Sequence, residues 1–220
     1  MNPVLLITAG PSREHFDDVR FLSNGASGAL GIAIARRALA EGWEVHLALG
    51  PTHLEPPAGV TCHRFISALE LDAVCTRLWP EVDTFIATAA VCDYRPAERV
   101  SGKRKKSAEG WVPELVRTPD VLAGRGLEKG DRTLVGFSLE SGAGPEEAHR
   151  KLVTKHLDLI LWNTPINLGA SQGRYTCVEP GGGTRELGLL PKEAVADEIL
   201  RFVGEARTRR RGSVPPDEEK

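Results

Sequence analysis

The chain has 220 residues, a net charge of −2, and 41% hydrophobic and 26% charged side chains. These values fit one globular domain of ordinary composition, and the near-neutral balance gives no ground for a nucleic-acid partner. No apolar run reaches membrane-spanning length and no signal-peptide pattern is present, so a cytoplasmic protein without membrane association is expected.

Strand and helix patterns alternate along the chain. Val4 to Ala9 is short and wholly apolar, as a central parallel strand covered on both faces would be. Gly10-Pro11 closes it, and a polar connection leads to Gly25, Gly28 and Gly31 and a helix from Ile32 to Glu41. Glu44 to Leu49, Thr61 to Ile66 and Thr84 to Ala90 read as further strands, with a helix over Ala68 to Trp79. Residues 95–110 are polar, basic and aperiodic and read as a flexible loop. Thr118-Pro119-Asp120 reads as a helix start, with Thr118 as N-cap and Pro119 at the first helical position. Leu134 to Ser138, a helix over Pro145 to His156, and Leu157 to Trp162 complete the alternation.

After residue 173 the pattern changes. Arg174 to Glu179, a Pro-Gly-Gly-Gly turn and Thr184 to Leu189 form a hairpin signal, and Pro191 to Glu205 a closing amphipathic helix. Residues 207–220 have almost nothing to bury and read as a disordered tail. The expected fold is α/β, a doubly wound Rossmann-like parallel sheet with a C-terminal antiparallel hairpin, in a single domain over residues 1–206. The four cysteines, none in a C-x-x-C pair, read as reduced, buried, structural thiols.

A glycine turn feeding a helix presents free N–H groups and a positive dipole end, which suits a phosphate. A short-chain-type NAD(P) reductase is one reading of GASGALG. Against it, the first strand ends fifteen residues before Asn24, and neither Tyr94 nor Tyr175 has a lysine four residues on.

The longer pattern is more specific. ITAGPSRE (Ile7 to Glu14) and DDVRFLSNGASG (Asp17 to Gly28) are followed by AAVCDYRP (Ala89 to Pro96), KRKK (Lys103 to Lys106), TPDVL (Thr118 to Leu122), GFSLES (Gly136 to Ser141) and AHRKLVTKHLDLILWN (Ala148 to Asn163). In this order they resemble the phosphopantothenate–cysteine ligase family of the bacterial, CTP-dependent type. Ala26 and Cys92 depart from the usual Ser and Ala of that pattern, and residues 164–190 match it least.

The resemblance implies a stand-alone ligase domain of coenzyme A biosynthesis. Such an enzyme joins 4′-phosphopantothenate to cysteine through an acyl-cytidylate, with CTP and Mg2+ bound mainly through the triphosphate. A homodimer and a separate phosphopantothenoylcysteine decarboxylase are implied as partners. Carried over position by position, Asn24 would hold the acyl carbonyl with help from Arg20, and Lys103 would bring a mobile charge over the reaction. Ala89, Asp93, Val116, Arg117, Thr118, Pro119, Phe137, Lys151, Lys155 and Gly28 would bind the nucleotide. Lys151 and Lys155 are one helical turn apart and would share a face. A nucleotide-binding regulatory protein without catalysis is the alternative on the same fold.

Overall fold

The computed structural model describes residues 2–142 and 144–212. In chain order these form β1 (Val4–Ala9), a small hairpin of β2 (Arg13–His15) and β3 (Phe21–Ser23), α1 (Ala29–Ala40), β4 (Glu44–Leu49) and β5 (Thr61–Arg64). α2 (Ala68–Leu78), β6 (Thr84–Ala87), a second small hairpin of β7 (Tyr94–Pro96) and β8 (Leu115–Arg117), α3 (Val121–Leu127) and β9 (Thr133–Leu139) follow. α4 (Glu146–Thr154), β10 (Leu159–Asn163), β11 (Gln172–Val178), β12 (Thr184–Pro191) and α5 (Lys192–Gly212) complete the fold.

The large sheet runs β5-β4-β1-β6-β9-β10-β11-β12. Its first six strands are parallel, and the last two join antiparallel, as the hairpin signal predicts. Side chains alternate between two cores because the strand period is two. Leu5, Ile7, Val45, Leu47 and Val135 face α1 and α5, whereas Leu6, Phe85, Leu134 and Ile160 face α2, α3 and α4.

From β1 the chain passes through α1 to β4 on one side, and α2 then returns it to β6 on the other side of β1. The carboxyl ends of β1 and β6 are therefore where the winding reverses, the place at which such sheets open a crevice. Two glycines bring α1 onto that crevice. Gly28 starts the helix at φ 79°, and a Cβ there would meet Gly10 N at 3.0 Å. A Cβ on Gly31 would meet Ala9 Cβ at 2.5 Å and Thr88 Oγ1 at 2.6 Å, so only glycine permits so close a helix–strand contact.

Four expectations need correction. The polar connection after β1 contains the β2–β3 hairpin, too short to leave a periodicity. The N-cap of α3 is Asp120, whose Oδ1 accepts from Ala123 N at 3.0 Å, and not Thr118. Thr118 instead donates through Oγ1 to Cys92 O at 2.5 Å, which holds it outside the helix.

The basic segment is tethered to the β2–β3 hairpin region. Val100 N donates to Phe16 O, Gly102 N to Asp18 Oδ2 at 2.8 Å, and Arg99 pairs with Asp18 at 2.9 Å. Last, α5 continues to Gly212 where a disordered tail is predicted from residue 207. Arg207 lies over the Trp43 ring, and Arg210 reaches Asp158 Oδ1 at 2.7 Å. The rest of that predicted tail, 213–220, lies outside the described residues.

Candidate active site

Beyond β1 and β6 lies a cavity of about 490 Å³. Thr8 of β1 and Ala87 of β6 form its floor, and Phe137 of β9 lines it. Asp93, Arg117, Thr118 and Pro119 arrive from the β7–β8 hairpin, and Lys155 from the end of α4. The hairpin is held to the sheet by a run of bonds. Ser12 N donates to Ala90 O at 3.1 Å, Cys92 N to Ser12 Oγ at 3.0 Å, and Thr118 N to Asp93 O at 3.0 Å.

A second cavity of about 200 Å³ opens beside α1, lined by Gly28, Thr88, Ala90 and Asn163. Ala89 and Phe137 line both cavities and so mark the passage between them. The first turn of α1 carries no acidic side chain and Gly28 offers no side-chain cap, so the positive end of the helix faces this cavity. Asn24 lies behind the wall of the second cavity, its Nδ2 donating to O of Ala90, which lines it, at 3.0 Å. One amide hydrogen of Asn24 is thereby used and the other remains for a ligand.

Not every predicted residue lines a cavity. Asn24, Arg20, Lys103, Val116 and Lys151 do not. Val116 is opposite Arg95 in the β7–β8 hairpin and supports the wall from behind. Lys155, the C-cap of α4, still donates its N–H to Lys151 O at 3.0 Å, one helical turn on, but the two ammoniums take different partners. Lys155 Nζ pairs with Asp120 Oδ2, whereas Lys151 Nζ pairs with Glu140 Oε1 at 2.6 Å and approaches Ser138 Oγ at 3.3 Å. That ammonium holds the Glu140 carboxyl below its ordinary pKa.

Arg20 is committed to the buried Asp17. Its Nε donates to Asp17 Oδ2 at 2.9 Å, with a second bond from its terminal nitrogen to the same oxygen. The guanidinium beside Asp17 keeps that carboxyl well below the usual range. Arg104 N also donates to Asp17 Oδ2, at 3.2 Å, and Arg20 donates to Arg104 O at 2.8 Å. Lys103 is therefore the neighbour of an anchored residue, itself exposed and without a hydrogen bond or ion pair among the described residues.

Three functional contacts escaped the sequence. Thr8 is buried, and its Oγ1 accepts from Ala89 N at 3.3 Å. Asp120 carries the counter-charge to Lys155, and Ser12 joins the β7–β8 wall to the sheet. Asp120 and Ser12 stand inside the quoted TPDVL and ITAGPSRE blocks, so position in a block was the available signal.

The sequence matches the family described as the DNA/pantothenate metabolism flavoprotein C-terminal domain over residues 2–206. The chain belongs to that family. A similar relative is the "Coenzyme A biosynthesis bifunctional protein CoaBC" of Bacillus subtilis, 37% identical over 206 residues, covering 90% of this chain and 50% of the relative. The protein of the same name from Vibrio cholerae is 35% identical over 207 residues, covering 91% of this chain and 52% of the relative. The chain thus spans about half the length of the curated relatives it matches.

Among solved structures, the C-terminal domain of a CoaBC protein superposes with a TM-score of 0.82 at 37% identity, covering 94% of this chain and 96% of that one. A Cab2 mutant in complex with phosphopantothenate-cysteine shares the fold, with a TM-score of 0.76 at 15% identity and coverage of 96% and 89%. Membership of this family sets aside the reductase reading. The glycine turn here belongs to a strand–hairpin–helix connection, with β2 and β3 between β1 and Gly28.

Proposed function

We propose that the chain is a phosphopantothenate–cysteine ligase of coenzyme A biosynthesis, using CTP. The observation that carries this reading is convergence. Asp93, Arg117 to Pro119, Phe137 and Lys155 are far apart in sequence, were assigned to the nucleotide by resemblance, and line one cavity at the switch point of the sheet.

In this reading CTP occupies the larger cavity. Backbone groups of residues 117–119 face the pyrimidine edge with Val116 behind them, Phe137 lies against the ring, and Lys155 supplies charge to the triphosphate. The amino end of α1, reached past Ala89 and Phe137, adds N–H groups for phosphate oxygens. Among the described residues no three His, Cys, Asp or Glu side chains are placed to hold a metal. In this reading magnesium enters as part of the Mg·CTP substrate, held mainly through the triphosphate.

The carboxylate of 4′-phosphopantothenate attacks the α-phosphorus, the bond to the β-phosphate breaks, and pyrophosphate leaves. Two anions must meet, so the protein's work is alignment and charge stabilisation. The free amide hydrogen of Asn24 would meet the acyl oxygen, and Lys103 would close over the phosphates. The cysteine amine then attacks the acyl carbon, loses a proton, and CMP departs. A homodimer, a cytoplasmic location and cooperation with a decarboxylase belong to this same proposal.

The test is pyrophosphate release with CTP, phosphopantothenate and cysteine all present. Turnover that needs all three substrates, with kcat/KM higher for CTP than for ATP, is expected. Protein that binds CTP without releasing pyrophosphate would replace the ligase with a regulatory nucleotide binder. Equal kcat/KM for CTP and ATP would remove the nucleotide assignment.

A further inference from the structure

A third cavity, about 400 Å³, lies on the far side of β7 from the nucleotide cavity. Tyr94 of β7 and the preceding Asp93 line one cavity, and Arg95 and Pro96 of β7 line the other. Arg13, Arg95 and Arg99 bring three guanidinium groups to it, against two carboxylates, Glu14 and Glu70.

The carboxylates are already in use. Glu14 is 3% exposed, and its Oε1 accepts from Ala68 N at 2.8 Å, the first residue of α2. Glu70 Oε2 accepts from Ile66 N at 2.8 Å and its Oε1 from Ser67 Oγ at 3.3 Å. Both act as caps for the amino end of α2, and neither forms an ion pair with an arginine of the cavity among the described residues.

The guanidiniums are less satisfied. Arg99 has Asp18 as partner. Arg13 N donates to Ile66 O at 2.7 Å, but its guanidinium lies 4.5 Å over the Phe21 ring and makes no hydrogen bond or ion pair among the described residues. Among the described residues the Arg95 side chain donates only to the carbonyl of neighbouring Pro96, and its Nε is buried without a partner. A buried N–H without an acceptor is destabilising, and an anion would supply the missing acceptor. Two forked donors without carboxylates, facing one cavity, match a tetrahedral dianion that accepts bidentate bonds.

We propose that Arg13 and Arg95 form a phosphate-monoester site, separate from the nucleotide cavity. Arg13 pairs with Ser23 in the β2–β3 hairpin, one residue before Asn24, and Arg95 follows Asp93 by two. A small acid activated at Asn24 could extend its phosphorylated end here, an extension that rests on the ligase reading. A free phosphorylated effector is the other source of the same chemistry.

Titration calorimetry with inorganic phosphate on the wild-type protein, Arg13→Gln and Arg95→Gln tests the site without relying on turnover. Each substitution is expected to weaken phosphate binding at least tenfold. Wild-type protein that binds no phosphate, or binding that neither substitution changes, overturns the proposal. Thermal unfolding is followed in parallel, and because the Arg13 side chain makes no polar bond among the described residues while its backbone bonds survive substitution, its variant keeps the test decisive if Arg95→Gln fails to fold.

Turnover then names the source. If the site holds the substrate's own phosphate, Arg13→Gln lowers kcat/KM for 4′-phosphopantothenate at least tenfold and leaves that for pantothenate unchanged. If the phosphate is a separate effector's, the variant loses phosphate binding and keeps its preference for the phosphorylated acid. Absence of turnover in the wild-type protein would sink the ligase reading alone, since the calorimetry stands by itself.

Discussion

Lys155 Nζ and Asp120 Oδ2 lie 2.6 Å apart in the wall of the larger cavity. The contact ties the end of α4 to the start of α3, and in the proposed ligase it gives the ammonium a resting partner that a triphosphate would have to displace. Lys155→Gln is expected to weaken CTP binding about tenfold, the scale of one charge-assisted bond, measured by calorimetry. Asp120→Ala removes the α3 cap and should cost about 1 kcal/mol in urea unfolding. The half-exposed ion pair adds little to that figure.

Asn24→Asp preserves the size of the side chain and turns its donor into an acceptor facing Ala90 O. It places negative charge where more negative charge develops. Turnover is expected to fall about a hundredfold, the usual loss for one such donor, with an unchanged unfolding midpoint. Full activity in the variant would make the loop a scaffold only.

The tether at Asp17 changes what the basic segment can do. Residues 99–104 are held to Asp17 and Asp18, so gating is confined to the Lys103 side chain and to Lys105 and Lys106 beyond them. Trypsin should cut after Lys105 or Lys106 in free protein and more slowly with Mg·CTP, and Asp17→Asn should raise the free rate severalfold. Arg104 sits 4.8 Å over the Trp111 ring, so Trp111 emission reports the tether. Because Arg20 lowers the Asp17 pKa, the contact is fully present above the ordinary value of 3.8 and is lost only as pH falls through the lower folded one. Emission should therefore hold from pH about 7 to about 4 in the wild-type protein.

The cysteines make a graded prediction. Burial pushes Cys75 up to about 12 and Cys177 up to about 11, and it raises Cys92 and Cys62 as well. A raised pKa leaves less thiolate at any given pH, so labelling is slow at pH about 8 and quickens with alkali. Native alkylation followed by peptide mapping should find Cys62 modified first, Cys92 later and Cys75 and Cys177 last. Cys92 lines the nucleotide cavity, and CTP should slow it further. Modification of Cys75 ahead of Cys62 would contradict the packing.

Periodicity made the parallel sheet legible, because β1, β4, β6, β9 and β10 are apolar runs between amphipathic helices. The β2–β3 and β7–β8 hairpins were not legible. Each strand has three residues, and their pairing depends on backbone bonds to Ile66, Ala90 and Ser12 that no local pattern encodes. Much of the nucleotide cavity could be named because its residues fall in compact blocks. Arg13 and Arg95 fall in the same blocks, and their shared cavity became visible only once β2 lay beside β7. The charge of KRKK suggested self-repulsion, but its anchors, Asp17 and Asp18, stand more than eighty residues earlier.

The carboxylate of Asp158 gathers Leu134 N at 2.8 Å, Lys129 Nζ at 2.8 Å and Arg210 at 2.7 Å. Arg210 also donates to Asp131 O at 2.5 Å and approaches Thr133 Oγ1 at 3.2 Å, so the last turns of α5 fasten the amino ends of β9 and β10, opposite the cavities. The consequence is a division of labour along the strands. Chemistry occupies one rim of the sheet, and the closing clasp occupies the other. A chain cut after Ala206 keeps every helix side chain named in the core and loses the clasp. Amide exchange near Leu134 would quicken, and nucleotide affinity would stay where it was.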